Sequence, residues 1–266
     1  MNSAATSSHY PFDNAAPQAG DRYANLSALY VPPSEPVRGP ARLALSRSRC
    51  SSGSIARVMS QRVGAQGHVV ATDINTEWIA PQMPANVDML CHDIGVDALP
   101  EAVFDVVHSR AVLTFVPERR SALRRMVTAL KPQGWLLVEE LIPPITEALD
   151  QADEPDVEVV RKGRHAIVET IRRQGGDPAF AREIPRLMGE AGLTDIGAEG
   201  YFVPFRTDAV AALSKANIDQ LGPSIVGSGL MSSSELDQFR RLLEVPDLLY
   251  PASMALISVW GRRQLA

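Results

Sequence analysis

The chain has 266 residues, of which 45% are hydrophobic and 21% are charged, and its formal net charge is −5. This composition is typical of a soluble globular protein and leaves room for one large α/β domain or two smaller ones. Because the Lys and Arg residues are scattered through a net negative chain, we expect no basic face and no nucleic-acid partner.

The cysteine and hydropathy patterns argue against a metal-binding, membrane-spanning or secreted protein. Cys50 and Cys91 stand apart, without the Cys/His spacing of a zinc site, so we expect two reduced thiols and no metal. No apolar run approaches the roughly 20 residues of a membrane span. The start of the chain also lacks the basic residues and apolar core of a signal peptide. We therefore expect a cytoplasmic protein that binds no membrane.

The first 52 residues do not follow a regular pattern. Residues 1–30 form an N-terminal segment, interpreted as a lid, with a short helix at Arg22–Tyr30. Tyr23 and Tyr30 either line a pocket or pack in the interior. The following block, residues 31–52, contains four prolines, which break helices and strands. Within it, only Leu43 to Leu45 suits a central strand.

From Gly53 onward, helical and strand patterns alternate. Helices are predicted at 53–65 and 117–130, with a further short one starting at Thr76, and strands at 67–73, 87–90, 104–108 and 135–138. The sequence Lys131-Pro132-Gln133-Gly134 reads as a turn before the last of these strands. This alternation predicts a doubly wound, mostly parallel sheet with helices on both faces.

The remainder of the chain is predicted to be mostly helical. Helices are expected at 157–173, 179–191, 208–221 and 234–244, with strands at 194–205 and 255–260. Gly192 follows one helix as a stop signal, and Ser232 stands three residues before Glu235 in a capping-box pattern. Apolar side chains there either line a substrate pocket or pack in the core: Met188, Met231, Phe239 and Tyr250.

Polar residues follow the successive parallel strands. They are Asp73, Asp93, the run His108-Ser109-Arg110 and the pair Glu139-Glu140. In a doubly wound sheet these strand ends face one crevice. There the Asp73 carboxylate can accept hydrogen bonds from the hydroxyls of a ribose. The Asp93 carboxylate can accept a hydrogen bond from the exocyclic amine of an adenine that lies between Ile74 and Ile94. Alternatively, such acids cap the next turn.

The order of these segments resembles the class I S-adenosylmethionine-dependent methyltransferases, and particularly the ubiquinone/menaquinone-type group that acts on small molecules. The resemblance covers about residues 53–142: Gly-Ser-Ile-Ala-Arg (53–57), Gly-His-Val-Val-Ala-Thr-Asp-Ile (67–74), His-Asp-Ile (92–94), Phe-Asp-Val-Val-His-Ser-Arg (104–110) and Ala-Leu-Lys-Pro-Gln-Gly-Trp-Leu-Leu-Val-Glu-Glu (129–140). It implies a Rossmann-like sheet of seven strands whose last strand is antiparallel, and S-adenosylmethionine as the cofactor.

The resemblance also implies roles for individual residues. Gly53 would open the first helix beside the cofactor, Asp73 would bind the ribose, and Asp93 and Ile94 would contact the adenine. Ser109 and Arg110 would lie near the methionine end. Residues 31–266 would form one methyltransferase-like domain, with a cofactor-binding core at 53–142 and helical insertions on the substrate side at 143–251.

The sequence departs from this family just before the first helix. A glycine-rich turn of the type Val-Gly-Ala-Gly-x-Gly is expected there, because the backbone approaches the ligand closely and adopts positive φ. Residues 46–52 read Ser-Arg-Ser-Arg-Cys-Ser-Ser, and only Gly53 remains. One hypothesis is a frameshift: the codons AGT CGG AGC CGG TGC, read one base later, encode Val-Gly-Ala-Gly. The nucleotide sequence tests it directly.

Two histidines are candidates for a general base, which assists methyl transfer to a hydroxyl group. His108 lies at a strand end, where a histidine is more often structural, and His165 lies on a helix, where a solvated face explains it equally well. Glu139 and Glu140 either face the substrate or are solvated. Two other classes stay open: a dinucleotide-dependent oxidoreductase, and a non-catalytic or cofactor-impaired protein with this fold, which the missing glycines favour. The methyl acceptor and the oligomeric state are not specified.

Overall fold

The computed structural model describes residues 42–46, 53–76, 83–142, 155–202, 208–244 and 255–265. The predicted lid, with its helix at Arg22–Tyr30, lies outside these ranges, as do Tyr250 and most of the proline-rich block. The start of the helix predicted from Thr76 lies at their edge.

The described strands form one sheet with the order β3-β2-β1-β4-β5-β7-β6. They are Arg42–Ser46 (β1), His68–Asp73 (β2), Val87–Cys91 (β3), Phe104–Arg110 (β4), Leu130–Ile142 (β5), Leu193–Phe202 (β6) and Ala255–Arg263 (β7). The pairs among β1 to β5 are parallel, whereas β7 is antiparallel to both β5 and β6. The predicted Rossmann-like α/β fold is confirmed, and the last strand runs antiparallel as expected.

Six helices accompany the sheet in the described ranges. They are Ser54–Val63 (α1), Arg119–Ala129 (α2), Pro155–Arg173 (α3), Ile184–Glu190 (α4), Asp208–Gly227 (α5) and Ser233–Leu242 (α6), with 3-10 turns at Leu113–Phe115 and Phe180–Arg182. The helix predicted at 179–191 is therefore divided into a 3-10 turn and α4. The capping box of α6 is confirmed, since the Ser232 hydroxyl accepts from the Glu235 amide and the Glu235 carboxylate accepts from the Ser232 amide.

Strand β1 occupies the centre of the parallel half of the sheet. Leu45 pairs with Ala71 of β2 on one side and with His108 of β4 on the other. The prediction that only Leu43 to Leu45 suits a central strand is confirmed. The strand order reverses beside β1, which is where ligands bind in doubly wound sheets.

Strand β5 begins earlier than predicted. Phe104 pairs with Leu130 and Val106 with Trp135, so one intervening residue of β4 lies opposite four intervening residues of β5. The predicted turn at 131–134 is present as a bulge inside the strand rather than as its boundary. Gln133 has a φ of 69°, and a Cβ added to Gly134 would lie 2.9 Å from the Lys131 carbonyl, so this bulge requires glycine at position 134.

The two faces of the sheet carry separate apolar cores. Val106 packs with Ala71 of β2 and Ala56 of α1, whereas the next residue, Val107, packs with Leu123 of α2 on the opposite face. A third core joins α3, α5 and α6. Met188, Met231 and Phe239 are each at most 2% exposed within these cores, so packing rather than a pocket explains them.

Candidate active site

The register of the sheet aligns polar side chains at the carboxyl edge of the parallel strands. Leu45 pairs with Ala71 and His108, so the residues two positions further on, Asp73 and Arg110, project from the same face. Arg110 pairs with Glu139 of β5, which in turn pairs with Ser258 of β7. We call Asp73, Arg110, Glu139 and Ser258 the polar row. It lies on the face of the sheet that carries α1.

Gly53 lies immediately before α1. Its φ of 61° and ψ of 18° are left-handed, a conformation that glycine adopts without strain. Its carbonyl accepts the first helical hydrogen bond from the Arg57 amide at 3.0 Å. The residues between β1 and Gly53, which stand in place of the glycine-rich turn, lie outside the described ranges.

Asp73 ends β2 as predicted, and it is only 4% exposed. One carboxylate oxygen accepts from the Asn75 amide at 3.1 Å, which turns the chain away from the sheet. Its carbonyl accepts from the His92 amide at 2.9 Å, so the turn after β3 lies against the end of β2. Ile74, next to Asp73, is half-buried.

Asp93 and Ile94 lie in that turn after β3. The Asp93 carboxylate accepts from the Gly95 amide at 2.9 Å, and its carbonyl accepts from the Asp97 amide at 2.7 Å. The capping role considered for Asp93 is therefore present. The Ile94 side chain has no exposed surface and belongs to the core beneath α2. A contact between this side chain and adenine stays a prediction, and it would require the covering side chains to move.

Ser109 and Arg110 end β4 with opposite orientations. Both are buried, and the Ser109 hydroxyl has no hydrogen-bond partner within the described part of the chain. Arg110 lies in the polar row, with its Nε 4.0 Å from a Glu139 oxygen. An unpartnered buried hydroxyl at this edge is consistent with a ligand-binding position.

His108, Glu139 and Ser258 form a hydrogen-bonded chain across three strands. The His108 Nε2 lies 2.8 Å from one Glu139 oxygen, and the Ser258 hydroxyl donates to the other oxygen at 2.9 Å. Burial by itself raises the pKa of Glu139. The hydrogen bond and charge of His108, the charge of Arg110 and the Ser258 hydrogen bond outweigh this effect and lower that pKa to about 2.

Glu140 faces the opposite side of the sheet and has no exposed surface. Its carboxyl group accepts from the amides of Val112 and Leu113 at 3.0 and 2.7 Å, and from the Thr114 hydroxyl at 2.8 Å. Burial raises the pKa of Glu140 to about 7, although these hydrogen bonds oppose the shift. Solvation, one of the two interpretations of Glu139-Glu140, is wrong for both residues.

Sequence reasoning missed two functional features of this cluster. Ser258 gave no signal, since its partner Glu139 lies 119 positions away along the chain. The sequence could have predicted that Glu139 and Glu140 lie on opposite faces of the sheet, because consecutive residues of a strand face opposite sides. The second histidine candidate, His165, is exposed on α3, as expected for a solvated helix face.

Comparison with known proteins agrees with this geometry. Residues 49–138 match the family model described as a methyltransferase domain. The chain is 27% identical over 178 residues to methyltransferase str2 of Strobilurus tenacellus, covering 62% of each chain. It is 32% identical over 108 residues to the ubiquinone/menaquinone biosynthesis C-methyltransferase UbiE of Vibrio parahaemolyticus, covering 38% of this chain and 42% of the relative. Residues 49–138 are therefore similar to methyltransferase domains.

Solved structures show the same fold at low sequence identity. Phosphoethanolamine N-methyltransferase 2 of Haemonchus contortus, solved with S-adenosylhomocysteine, matches with a TM-score of 0.51 and 15% identity, over 92% of this chain and 52% of that one. The [4+2]-cyclase SpnF matches with a TM-score of 0.53 and 17% identity, over 99% and 89%. Because one neighbour is named a cyclase, the fold alone does not identify the reaction.

The described residues contain neither a metal-binding cluster nor a membrane-spanning helix. No three or more His, Cys, Asp or Glu side chains are grouped there in a way that could hold a metal ion. No helix in those ranges combines the length and apolar character needed to cross a membrane.

Proposed function

We propose that the protein is an S-adenosylmethionine-dependent methyltransferase acting on a small organic molecule. The observation that carries this proposal is the buried Asp73 carboxylate at the end of β2, beside the point where the strand order reverses. The chain spans 62% of str2 and 42% of UbiE, so the activity of those relatives is a proposal for this one. Neither comparison favours a dinucleotide oxidoreductase.

The residues at the carboxyl edge suit the cofactor chemically. Asp73 supplies the acceptor oxygens for ribose hydroxyls, and Gly53 supplies a backbone free of a side chain at the start of α1. Ile74, Asp93 and Ile94 would border the adenine. Ser109 and Arg110 would lie at the methionine end, where a guanidinium suits a carboxylate. When bound, the cofactor supplies a methyl group activated on a positively charged sulfur.

We propose the domain division predicted from the sequence. Residues 1–30 would form a lid, and residues 31–266 one domain with its cofactor-binding core at 53–142. The segment 143–251 would carry the substrate side. Its helices α3, α5 and α6 have an apolar core of their own, which supports an insertion that varies independently of the sheet.

The chain contributes to methyl transfer chiefly by proximity and orientation, since an in-line displacement needs both reactants held together. His108 is the candidate general base, because it lies beneath the edge that would hold the methionine end. A small-molecule acceptor stays a prediction from the resemblance. A cytoplasmic location and the absence of nucleic-acid and membrane partners stay predictions from the composition and hydropathy of the chain.

Calorimetric titration with S-adenosylhomocysteine tests the proposal. We expect Asp73→Asn to weaken binding at least tenfold, since each lost charge-assisted hydrogen bond costs about 1.5–3 kcal/mol. Asp88→Asn is the matched control, because Asp88 lies on the neighbouring strand β3 but is exposed. A version with Val-Gly-Ala-Gly restored before Gly53 tests the replaced turn. Failure of both the natural and the restored chains to bind would refute the proposal.

A further inference from the structure

The chain His108–Glu139–Ser258 is built from three strands that are distant in sequence. Glu139 lies 31 positions from His108 and 119 positions from Ser258 in the sequence. One of its carboxylate oxygens nevertheless lies 2.8 Å from His108 Nε2, and the other accepts a hydrogen bond from the Ser258 hydroxyl at 2.9 Å. The His108 and Glu139 side chains are only 3% and 14% exposed. Buried polar groups are costly to keep unless they are hydrogen-bonded, so this arrangement is specifically organised.

The hydrogen bonds define which nitrogen of His108 carries the proton. The Glu139 carboxylate is ionised at neutral pH and accepts hydrogen bonds only, so the His108 Nε2 must donate. In the neutral imidazole the other nitrogen, Nδ1, then carries the lone pair. Nδ1 is buried and has no hydrogen-bond partner in the described ranges. Its lone pair is therefore not used by any donor among the described residues.

The groups around the ring fix the position of the carboxylate to which it is bonded. Glu139 of β5 is directly bonded to Nε2, and Arg110 of β4 lies 4.0 Å from the same carboxylate oxygen. Ser258 of β7 holds the second oxygen, which fixes the orientation of the carboxylate. Asp73 ends β2, two strands away in the same polar row. A buried carboxylate oriented in this way stabilises an imidazolium and selects its tautomer.

We propose that His108 Nδ1 accepts, directly or through one water, the proton of a hydroxyl group on the methyl acceptor, and that Glu139 and Ser258 are positioning residues. This inference rests on the proposed function. In the transfer, the acceptor oxygen forms a bond to the methyl carbon as the carbon–sulfur bond breaks, and the O–H bond delivers its proton to Nδ1. The products are a methyl ether, the neutral thioether S-adenosylhomocysteine and a protonated imidazole.

The chemistry of the base narrows the class of acceptor. General-base catalysis is most effective when the base and the acid it deprotonates do not differ greatly in pKa. Phenolic hydroxyls have pKa values of about 10, whereas alkyl hydroxyls are close to water at about 15.7. An imidazole base therefore suits a phenolic or enolic hydroxyl, and the reaction is an O-methylation of such a group.

The tautomer can be measured without cofactor or substrate. Nitrogen-15 NMR of the labelled histidines distinguishes the two neutral forms, and the His108→Gln variant assigns the signals among the five histidines. We expect His108 as the pure Nε2–H form in the natural protein and as a mixture in Glu139→Gln, whose amide can donate or accept. Asp88→Asn is the matched control, because the His68–Asp88 pair has the same 2.8 Å distance but is exposed.

Methylation assays then test the role. S-adenosylhomocysteine binding is measured first, and phenol, 4-cyanophenol, thiophenol and aniline serve as acceptor probes. We expect phenols to be methylated, and Glu139→Gln to reduce kcat for phenol about 100-fold, the usual scale of general-base catalysis, with cofactor affinity within twofold. The loss should be smaller for the more acidic 4-cyanophenol. Ser258→Ala should lose less than Glu139→Gln and keeps the test valid if Glu139→Gln fails to fold.

The outcomes separate the two proposals. If the cofactor product binds but phenols are not methylated, or if Glu139→Gln and Ser258→Ala methylate phenol as fast as the natural protein, the inference is wrong and the proposed function stands. A mixed tautomer of His108 in the natural protein also overturns it. If S-adenosylhomocysteine does not bind, the proposed function fails and the inference falls with it.

Discussion

Replacing Glu140 by glutamine separates the cost of a buried charge from the hydrogen bonds that this side chain makes. Burial raises the pKa of Glu140 from the ordinary 4.5 to about 7. The folded protein therefore binds a proton that the unfolded chain releases between these two pH values, so the free energy of unfolding falls as pH rises from about 4.5 to about 7. The difference in pKa corresponds to a loss on the order of 3 kcal/mol.

The Glu140→Gln variant keeps the carbonyl oxygen that accepts from the Val112 and Leu113 amides but cannot ionise. We expect equal stability of the two proteins near pH 5 and a more stable variant at pH 8, by up to about 3 kcal/mol. Urea unfolding at pH 5, 6, 7 and 8 measures this directly. As a control, Glu140→Leu removes the acceptors as well and should destabilise at every pH, since buried amides lose their partner.

The result that would refute this reasoning is a parallel pH dependence of the natural protein and Glu140→Gln between pH 5 and 8. Glu139 does not interfere with the comparison. Its pKa is lowered to about 2, so its stabilising contribution is complete above about 4.5 and is lost only as pH falls below that value towards 2.

Three further substitutions test packing and hydrogen bonding away from the polar row. A Cβ added to Gly163 of α3 would lie 2.3 Å from the ring of Phe239, so we expect Gly163→Ala to lower the free energy of unfolding by about 1–3 kcal/mol. Gly189→Ala is the control, because a Cβ there would have its nearest contact at 3.6 Å. It should raise the free energy of unfolding by up to about 1 kcal/mol. A stable Gly163→Ala protein would contradict this packing. The Asn86 side chain accepts a hydrogen bond from the Ser60 hydroxyl at 2.6 Å and donates to carbonyls at the end of α1. Asn86→Ala should therefore lower the free energy of unfolding by about 1–3 kcal/mol in a urea unfolding assay. An unchanged unfolding midpoint would contradict a stabilising role for these hydrogen bonds.

Much of the fold followed from local pattern. The alternation of helical and strand periodicity identified the parallel sheet, and the apolar run ending in Asp73 identified the edge at which the candidate site lies. The Ser232–Glu235 capping box and the glycine stop at Gly192 were equally readable, because each depends on residues within one turn of helix. Such signals are local: they record which face of an element is buried and where its hydrogen bonds end.

Only the tertiary structure decided how the polar residues divide their roles. The sequence could not show that Glu139 meets His108 and Ser258, since that contact depends on the register of three strands and on the antiparallel insertion of β7 beside β5. Likewise, the bulge at 131–134 carries β5 past a predicted boundary. Periodicity specifies that consecutive residues of a strand alternate between the two faces of the sheet. It does not specify which side chains from distant parts of the sequence lie on each face. The pairing of the strands, rather than any sequence motif, places Glu139 beside His108. It also places Glu140 where its carboxyl group accepts hydrogen bonds from residues 112–114.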